Sequence, residues 1–166
     1  MRSAPPEPCS ALALDVGRRW IGLAGCDCLG LSITPLPALR RAAFDQDLRQ
    51  LNHLARQRRV RVLVVGLPLD DQQRPTPQAA HCRRYGLRLA RGLAELSLPL
   101  PVAWVNEHSS TWCAGEHFSL HGDRSGRLDS GAASLLLDQW LREGPRAEPV
   151  LPATIVNGSM GASDPS

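Results

Sequence analysis

ALALDVGRRWIGLAG, residues 11–25, decides how the chain is read. Two apolar segments flank a short polar break. Residues 11–15 read as a buried strand and WIGLAGC, 20–26, as a second. Only four residues separate them, so they should pair as an antiparallel hairpin. Gly17 suits the tight turn, because glycine tolerates backbone geometries that a Cβ obstructs. Asp15 is the odd residue, a carboxylate at the end of an apolar strand. By itself, Asp15 followed by Val-Gly reads equally well as a turn former.

Working outward, LGLSITPL (29–36) reads as a third strand, ended by Pro35 and Pro37. DQDLRQLNHLARQR (45–58) has helical spacing of its leucines, with Asp45 as the N-cap. VRVLVVGLPL (60–69) is a buried apolar run, and DDQQRPTP (70–77) a loop. A long helix over 77–96 opens with proline in its first turn. PVAWVNE (101–107) is a short strand, 110–120 a helix, and 121–127 a polar loop. LDSGAASLLLDQWLRE (128–143) is an amphipathic helix whose leucines and Trp140 belong to the core. Strands linked by hairpins, followed by alternating strands and helices, predict an α/β fold. Its mixed five-stranded sheet should have helices on both faces and parallel later strands.

The chain has 166 residues, enough for one domain with a sizeable core. We divide it into a lead over 1–9, a domain over 10–143, and a Pro/Gly/Ser-rich tail over 144–166 with little order, of which VLPATIV (150–156) could dock. With 43% hydrophobic and 21% charged residues it is neither disordered nor membrane-spanning in composition. MRSAPPEPCS lacks the apolar stretch of a secretory signal. Five cysteines with no CxxC pair argue against a disulfide framework and give a zinc site no support. A reducing cytoplasm is expected. All 19 basic residues are arginine, and the net charge is +3. That balance permits a nucleic-acid partner without requiring one.

Three carboxylates occupy compatible places. Asp15 ends the first strand, Glu107 ends PVAWVNE, and Asp129 opens the last helix. Parallel strands bring their C-terminal ends to one edge, where open α/β sheets bind ligands. Crowded carboxylates repel unless a cation lies between them. Hard oxygen donors suit Mg²⁺ or Mn²⁺, and two such ions can clamp a phosphodiester in line. Arg18 and Arg19 follow Asp15 directly, and Arg84, Arg88 and Arg91 share one helix face. These side chains are candidates for steering a phosphate backbone, against the plainer reading of solvated surface.

LALDVGRRWIGLAGCD (12–27), LGLSITPLPAL (29–39), VVGLPL (64–69), TPQAA (76–80), VNEHSST (105–111) and LDSGAASLLLDQWL (128–141) together resemble the YqgF, or RuvX, family. The resemblance implies an RNase H-like fold and a nuclease that matures the 5′ end of 16S ribosomal RNA or resolves Holliday junctions. It implies that Asp15, Glu107 and Asp129 are the catalytic metal ligands, with two Mg²⁺ or Mn²⁺ ions. Its partners would be structured RNA (precursor 16S rRNA) or branched DNA, with ribosomal assembly particles and no membrane, as monomer or homodimer. Asp27, His108 and His121 stand as auxiliary positions. The sequence departs from the family's usual pattern at Trp20, Asn106 and His108, and lacks the usual glycines in the loop after VVGLPL. A binding module with weak chemistry is the competing reading. An actin-like ATPase would need two such domains and a longer chain.

Overall fold

The computed structural model describes residues 10–107 and 127–150, and of residues 127–129 the backbone alone. Five strands form one sheet in the order β3-β2-β1-β4-β5. These are β1 (Ala11–Val16), β2 (Trp20–Cys26), β3 (Ile33–Arg40), β4 (Val62–Pro68) and β5 (Val102–Glu107). Among the described residues, three helices accompany them, α1 (Phe44–Gln57), α2 (Pro77–Glu95) and α3 (Arg127–Glu143). β1 runs antiparallel to β2 and parallel to β4, and β4 runs parallel to β5. The expected hairpin, mixed sheet and parallel ends are therefore all present. The helix expected over 110–120 and the loop expected over 121–127 lie outside the described residues, except Arg127, which opens α3 instead.

The side-chain alternation of a strand assigns each face its own core. Leu12, Leu14, Leu63 and Val65 pack with Leu51, Leu89 and Leu93 beneath α1 and α2. Ala11, Ala13, Ala24, Val62, Val64, Ala103 and Val105 pack against Ala133, Leu136, Leu137 and Trp140 of α3. The smaller residues on this second face let α3 lie close to the sheet. Each large side chain buried this way contributes roughly 1.5–3 kcal/mol.

Two local expectations fail for identifiable reasons. β3 begins at Ile33 and runs through Pro35 and Pro37 instead of ending there. It is an edge strand paired only with β2, so each missing N–H costs no ladder bond that the sheet requires. α1 starts after Ala43, which provides no side-chain cap, and Asp45 is already inside the first turn. Asp47, one turn into the helix, instead ties down the chain that enters it. It is buried, its Oδ1 accepts from the Ala42 N–H at 3.0 Å, and its Oδ2 accepts from the Tyr85 hydroxyl at 3.2 Å. α2 has a conventional start, with Thr76 accepting from the Ala79 N–H at 3.0 Å and Pro77 in the first turn.

The turn after β1 is as tight as the sequence suggested. Gly17 N–H donates to Trp20 O at 2.9 Å, and a Cβ on Gly17 would lie 2.8 Å from that oxygen. Beyond α3, Glu148 pairs with Val102 by two backbone hydrogen bonds of 2.8 Å, so residues near 148 cover the outer edge of β5. Val150 packs at the margin of the α1–α2 core, and the rest of VLPATIV lies outside the described residues.

Candidate active site at the ends of β1 and β5

Strand alternation settles which face each carboxylate shares. Ala11, Ala13 and Asp15 alternate on the α3 side of β1, as Ala103, Val105 and Glu107 do on β5. Both carboxylates are half-buried at the C-terminal ends of their strands. β4 lies between these two strands, and the β1–β4 register, which pairs Leu14 with Val65, carries Asp15 opposite Gly66, while Glu107 lies two residues beyond Gly66's partner Val105. On the other side of Asp15, its partner in β2 is Gly22. Asp15 is thus flanked by glycine on both neighbouring strands.

Gly66 is also where Glu107 leans. A Cβ at Gly66 would stand 2.5 Å from Glu107 Oε1 and 3.0 Å from Leu136 Cδ2 of α3. Glu107 therefore reaches back over β4 towards β1, beneath the helix. Burial pushes its carboxyl above the ordinary carboxylate range. The Cys82 thiol, on α2, is raised to about 12, by burial first and then by the charges of Asp15 and Glu107. One thiol senses both carboxylates, which agrees with their standing at one end of the sheet.

α3 crosses this face obliquely. Ser130 Oγ donates to Leu36 O of β3 at 2.6 Å, and Gln139 Nε2 donates to Asn106 O of β5 at 2.9 Å. The helix therefore starts over β3 and travels towards β5. Asp129 lies in its first turn, beside Ser130, and shares a helical phase with Ala133, Leu136 and Trp140. Its backbone begins on the β3 side of Asp15, whereas Glu107 lies on the β5 side. The Asp129 side chain lies outside the described residues. Among the described residues, no group of three or more His, Cys, Asp and Glu side chains gathers around one point.

The remaining expected residues fall in different settings. Arg18 and Arg19 are exposed in the β1–β2 turn. Arg84 is exposed on α2. Arg88 is exposed too, with its guanidinium 3.9 Å over the Phe44 ring. Arg91 is half-buried and leaves that stripe. Asp27 organises the turn after β2, its Oδ1 accepting from the N–H groups of Leu29 (3.2 Å) and Leu31 (2.8 Å). Cys26 is buried and Cys28 exposed, so the two thiols do not form a pair. His108 and His121 lie outside the described residues.

Sequence reasoning did not anticipate Arg41 and His81. Arg41 Nη1 donates to Gly17 O at 3.0 Å and lies 3.0 Å from His81 Nε2, with its guanidinium 4.8 Å over the Tyr85 ring. The two residues are forty positions apart, and no local motif links them.

A mixed five-stranded sheet with acids at the ends of its first and fifth strands is the frame that the resemblance implied. The family model described as "RuvX: Holliday junction resolvase" matches residues 9–143. The chain belongs to the RuvX family. A Synechococcus sp. (strain CC9605) protein is 62% identical over 159 residues, covering 96% of this chain and 97% of the relative. A Prochlorococcus marinus (strain MIT 9313) protein is 54% identical over 166 residues, covering 98% of this chain and all of the relative. Both carry the name "Putative pre-16S rRNA nuclease". Among solved structures, Thermus thermophilus RuvC in complex with a Holliday junction substrate superposes with a TM-score of 0.56. At 15% identity, with 85% of this RuvX chain and 99% of the RuvC chain covered, that likeness speaks for the RNase H-like fold. No described helix is long and apolar enough to cross a membrane.

Proposed function

We propose that this RuvX protein is a divalent-metal-dependent endonuclease of the cytoplasm that cuts structured RNA, with precursor 16S rRNA as its substrate. Family membership makes it a nuclease, a hydrolase of phosphodiester bonds. The names of relatives sharing 54–62% identity over nearly the whole chain support the RNA substrate.

One observation carries the chemical reading. Asp15 and Glu107 share the α3 face at one end of the sheet, with glycine rather than a side chain on β4 between them. Two half-buried carboxylates on one face at the same end of the sheet suit a hard divalent cation, which lets both stay ionised. Asp15 and Glu107 would hold Mg²⁺ or Mn²⁺, and Asp129 would complete the ligand set from the first turn of α3. When bound, a pair of such ions supplies an activated water and a counter-charge for the leaving oxygen.

The chain's own residues do the rest. Gly66 keeps the space into which Glu107 reaches, and Leu136 closes it from above. Gln139 pins α3 to the end of β5 through Asn106 O. Arg18 and Arg19, exposed beside Asp15, are placed to meet phosphates without reading bases.

The description of the family model favours a second substrate, branched DNA. Incubating the protein with precursor 16S RNA and with four-way DNA junctions, in Mg²⁺, Mn²⁺ or chelator, separates the two. Cleavage of RNA only is the expected result. Cleavage of junctions only transfers the reading to DNA. Binding without cleavage of either would make the protein an assembly module.

A further inference from the structure

Beside the β1–β2 turn, on the α1–α2 side of the sheet, lies a cluster of hydrogen-bond donors. Arg41 follows β3, and its guanidinium is held in three ways. It donates to Gly17 O (3.0 Å), faces His81 Nε2 (3.0 Å) and stacks on Tyr85 (4.8 Å). Arginine can only donate, so His81 Nε2 must accept and the ring proton resides on Nδ1. His81 is half-buried in the second turn of α2, and Arg84 follows it on the same helix. The turn itself contributes Arg18.

Among the described residues, no carboxylate pairs with Arg18, Arg41 or Arg84, and His81 Nδ1–H has no protein acceptor. Burial first, then the charges of Arg41, Arg84 and Arg18, hold His81 below the usual histidine range. The other titratable groups against the cluster are Tyr85, raised by burial and by Asp47, and Cys82, raised by burial. Both keep their protons at neutral pH and add no negative charge. Guanidinium and imidazole donors that no carboxylate pairs make a surface complementary to a phosphate. Its place is specific too. Gly17, which Arg41 grips, is two residues beyond Asp15, about 7 Å of extended chain.

We propose that Arg41 and His81, with Arg18 and Arg84 at the rim, bind a backbone phosphate of the nucleic acid next to the one being cut. This assignment takes its ligand from the nuclease reading. The guanidinium is already fixed by the turn and by Tyr85, so little side-chain freedom is lost on binding. The β1–β2 turn that carries Asp15 thereby becomes part of the substrate grip, and the strand is led around the sheet edge towards the carboxylates.

The test is binding of a short fluorescein-labelled RNA stem-loop in chelator, followed by anisotropy between about 50 and 200 mM salt. Parent, Arg41→Ala, Arg41→Lys and His81→Gln are compared, each checked for folding by circular dichroism. Arg41→Ala should weaken binding roughly five- to tenfold at low salt and reduce the slope of log affinity against log salt by about one. Arg41→Lys should keep the slope and recover part of the affinity, because it keeps the charge and loses the fork. His81→Gln should weaken binding about threefold. Folded variants with the parent's affinity and slope would overturn the assignment, as would weaker binding of Arg41→Ala at an unchanged slope. If Arg41→Ala does not fold, the Lys and Gln variants decide by the same criteria. Inorganic phosphate is the second probe. Saturation of the parent at low millimolar phosphate, read from the His81 ring resonances, would identify a free anion as the ligand and overturn the backbone assignment. Cleavage by the parent in Mg²⁺ is scored separately, so a failed nuclease reading and a failed phosphate site give different patterns.

Discussion

Glu107 Oε1 occupies the space that a side chain on Gly66 would need, with only 2.5 Å between that oxygen and the position of a Cβ. The glutamate can reach over β4 only because β4 carries nothing there. Gly66→Ala should therefore swing Glu107 away and press on Leu136, which lies 3.0 Å from the same point. Overpacking of this kind costs about 1–3 kcal/mol, small enough for the protein to remain folded. RNA cleavage should fall by at least about tenfold, the scale of one misplaced group at a reacting centre. Kinetics with a circular-dichroism melt would check it. A folded Gly66→Ala enzyme with the parent's rate would show that the position of Glu107 does not matter.

Glu107 should also be a liability for folding when no cation is bound. Burial raises its carboxyl pKa above the ordinary 4.5 in the folded state. The folded protein then binds the proton more tightly than the unfolded chain. The contribution of this group is most favourable below the ordinary value and declines as pH rises through the raised one. In chelator, Glu107→Gln should melt higher than the parent at pH 7, by roughly 2–4 °C for each kcal/mol recovered. Near pH 4 the difference should vanish. Equal melting temperatures at pH 7 would contradict it. Added Mg²⁺ should raise the melting temperature of the parent and leave that of the variant little changed.

The thiols give an independent check on the packing beneath α2. Cys82 is buried, its Sγ donates to Val16 O at 3.4 Å, and its pKa is raised to about 12. A thiol held so far above its ordinary 9.0 has almost no nucleophilic thiolate at pH 8. Iodoacetamide labelling at pH 8, mapped by peptide mass spectrometry, should modify exposed Cys28 quickly and leave Cys26 and Cys82 protected until urea unfolds the chain. Rapid labelling of Cys82 in the folded protein would contradict this arrangement. Because the folded pKa is raised, stability from this group holds below about 9 and is lost as pH climbs towards 12.

Asp47 and Tyr85 tie α1 to α2 through a buried 3.2 Å hydrogen bond. Tyr85→Phe removes the donor and leaves the Asp47 oxygen short of a partner, at a cost of about 1–3 kcal/mol in urea unfolding. The same substitution should leave the rate of RNA cleavage within about twofold, since the ring that supports Arg41 is kept. An unchanged unfolding midpoint would show that the bond contributes nothing.

Much of this arrangement was legible along the chain because it depends on local signals. Gly17 between two apolar runs announced the hairpin, and the apolar runs ending in Asp15 and Glu107 announced parallel strands with acids at one edge. What the sequence hid depends on position in the sheet. Pro35 and Pro37 look like strand breakers, yet β3 is an edge strand and tolerates them. Asp45 looks like a cap, but Asp47 is the residue that packing buries against Tyr85. Asp27 resembles an auxiliary acid and serves a turn. Arg41 and His81 are neighbours only because β3 returns the chain to the β1–β2 turn while α2 lies over the same end, a coincidence of topology that no spacing encodes.

In the function proposed for this protein, the carboxylates of Asp15, Glu107 and Asp129 hold the metal that cuts RNA. The most direct measurement follows cleavage of precursor 16S RNA by the parent, Asp15→Asn, Glu107→Gln and Asp129→Asn, each in Mg²⁺, Mn²⁺ and chelator. Metal-dependent cleavage by the parent is expected, with a loss of at least about a hundredfold in every variant and RNA binding retained in all of them. Cleavage that persists in the three variants, or in chelator, would contradict it.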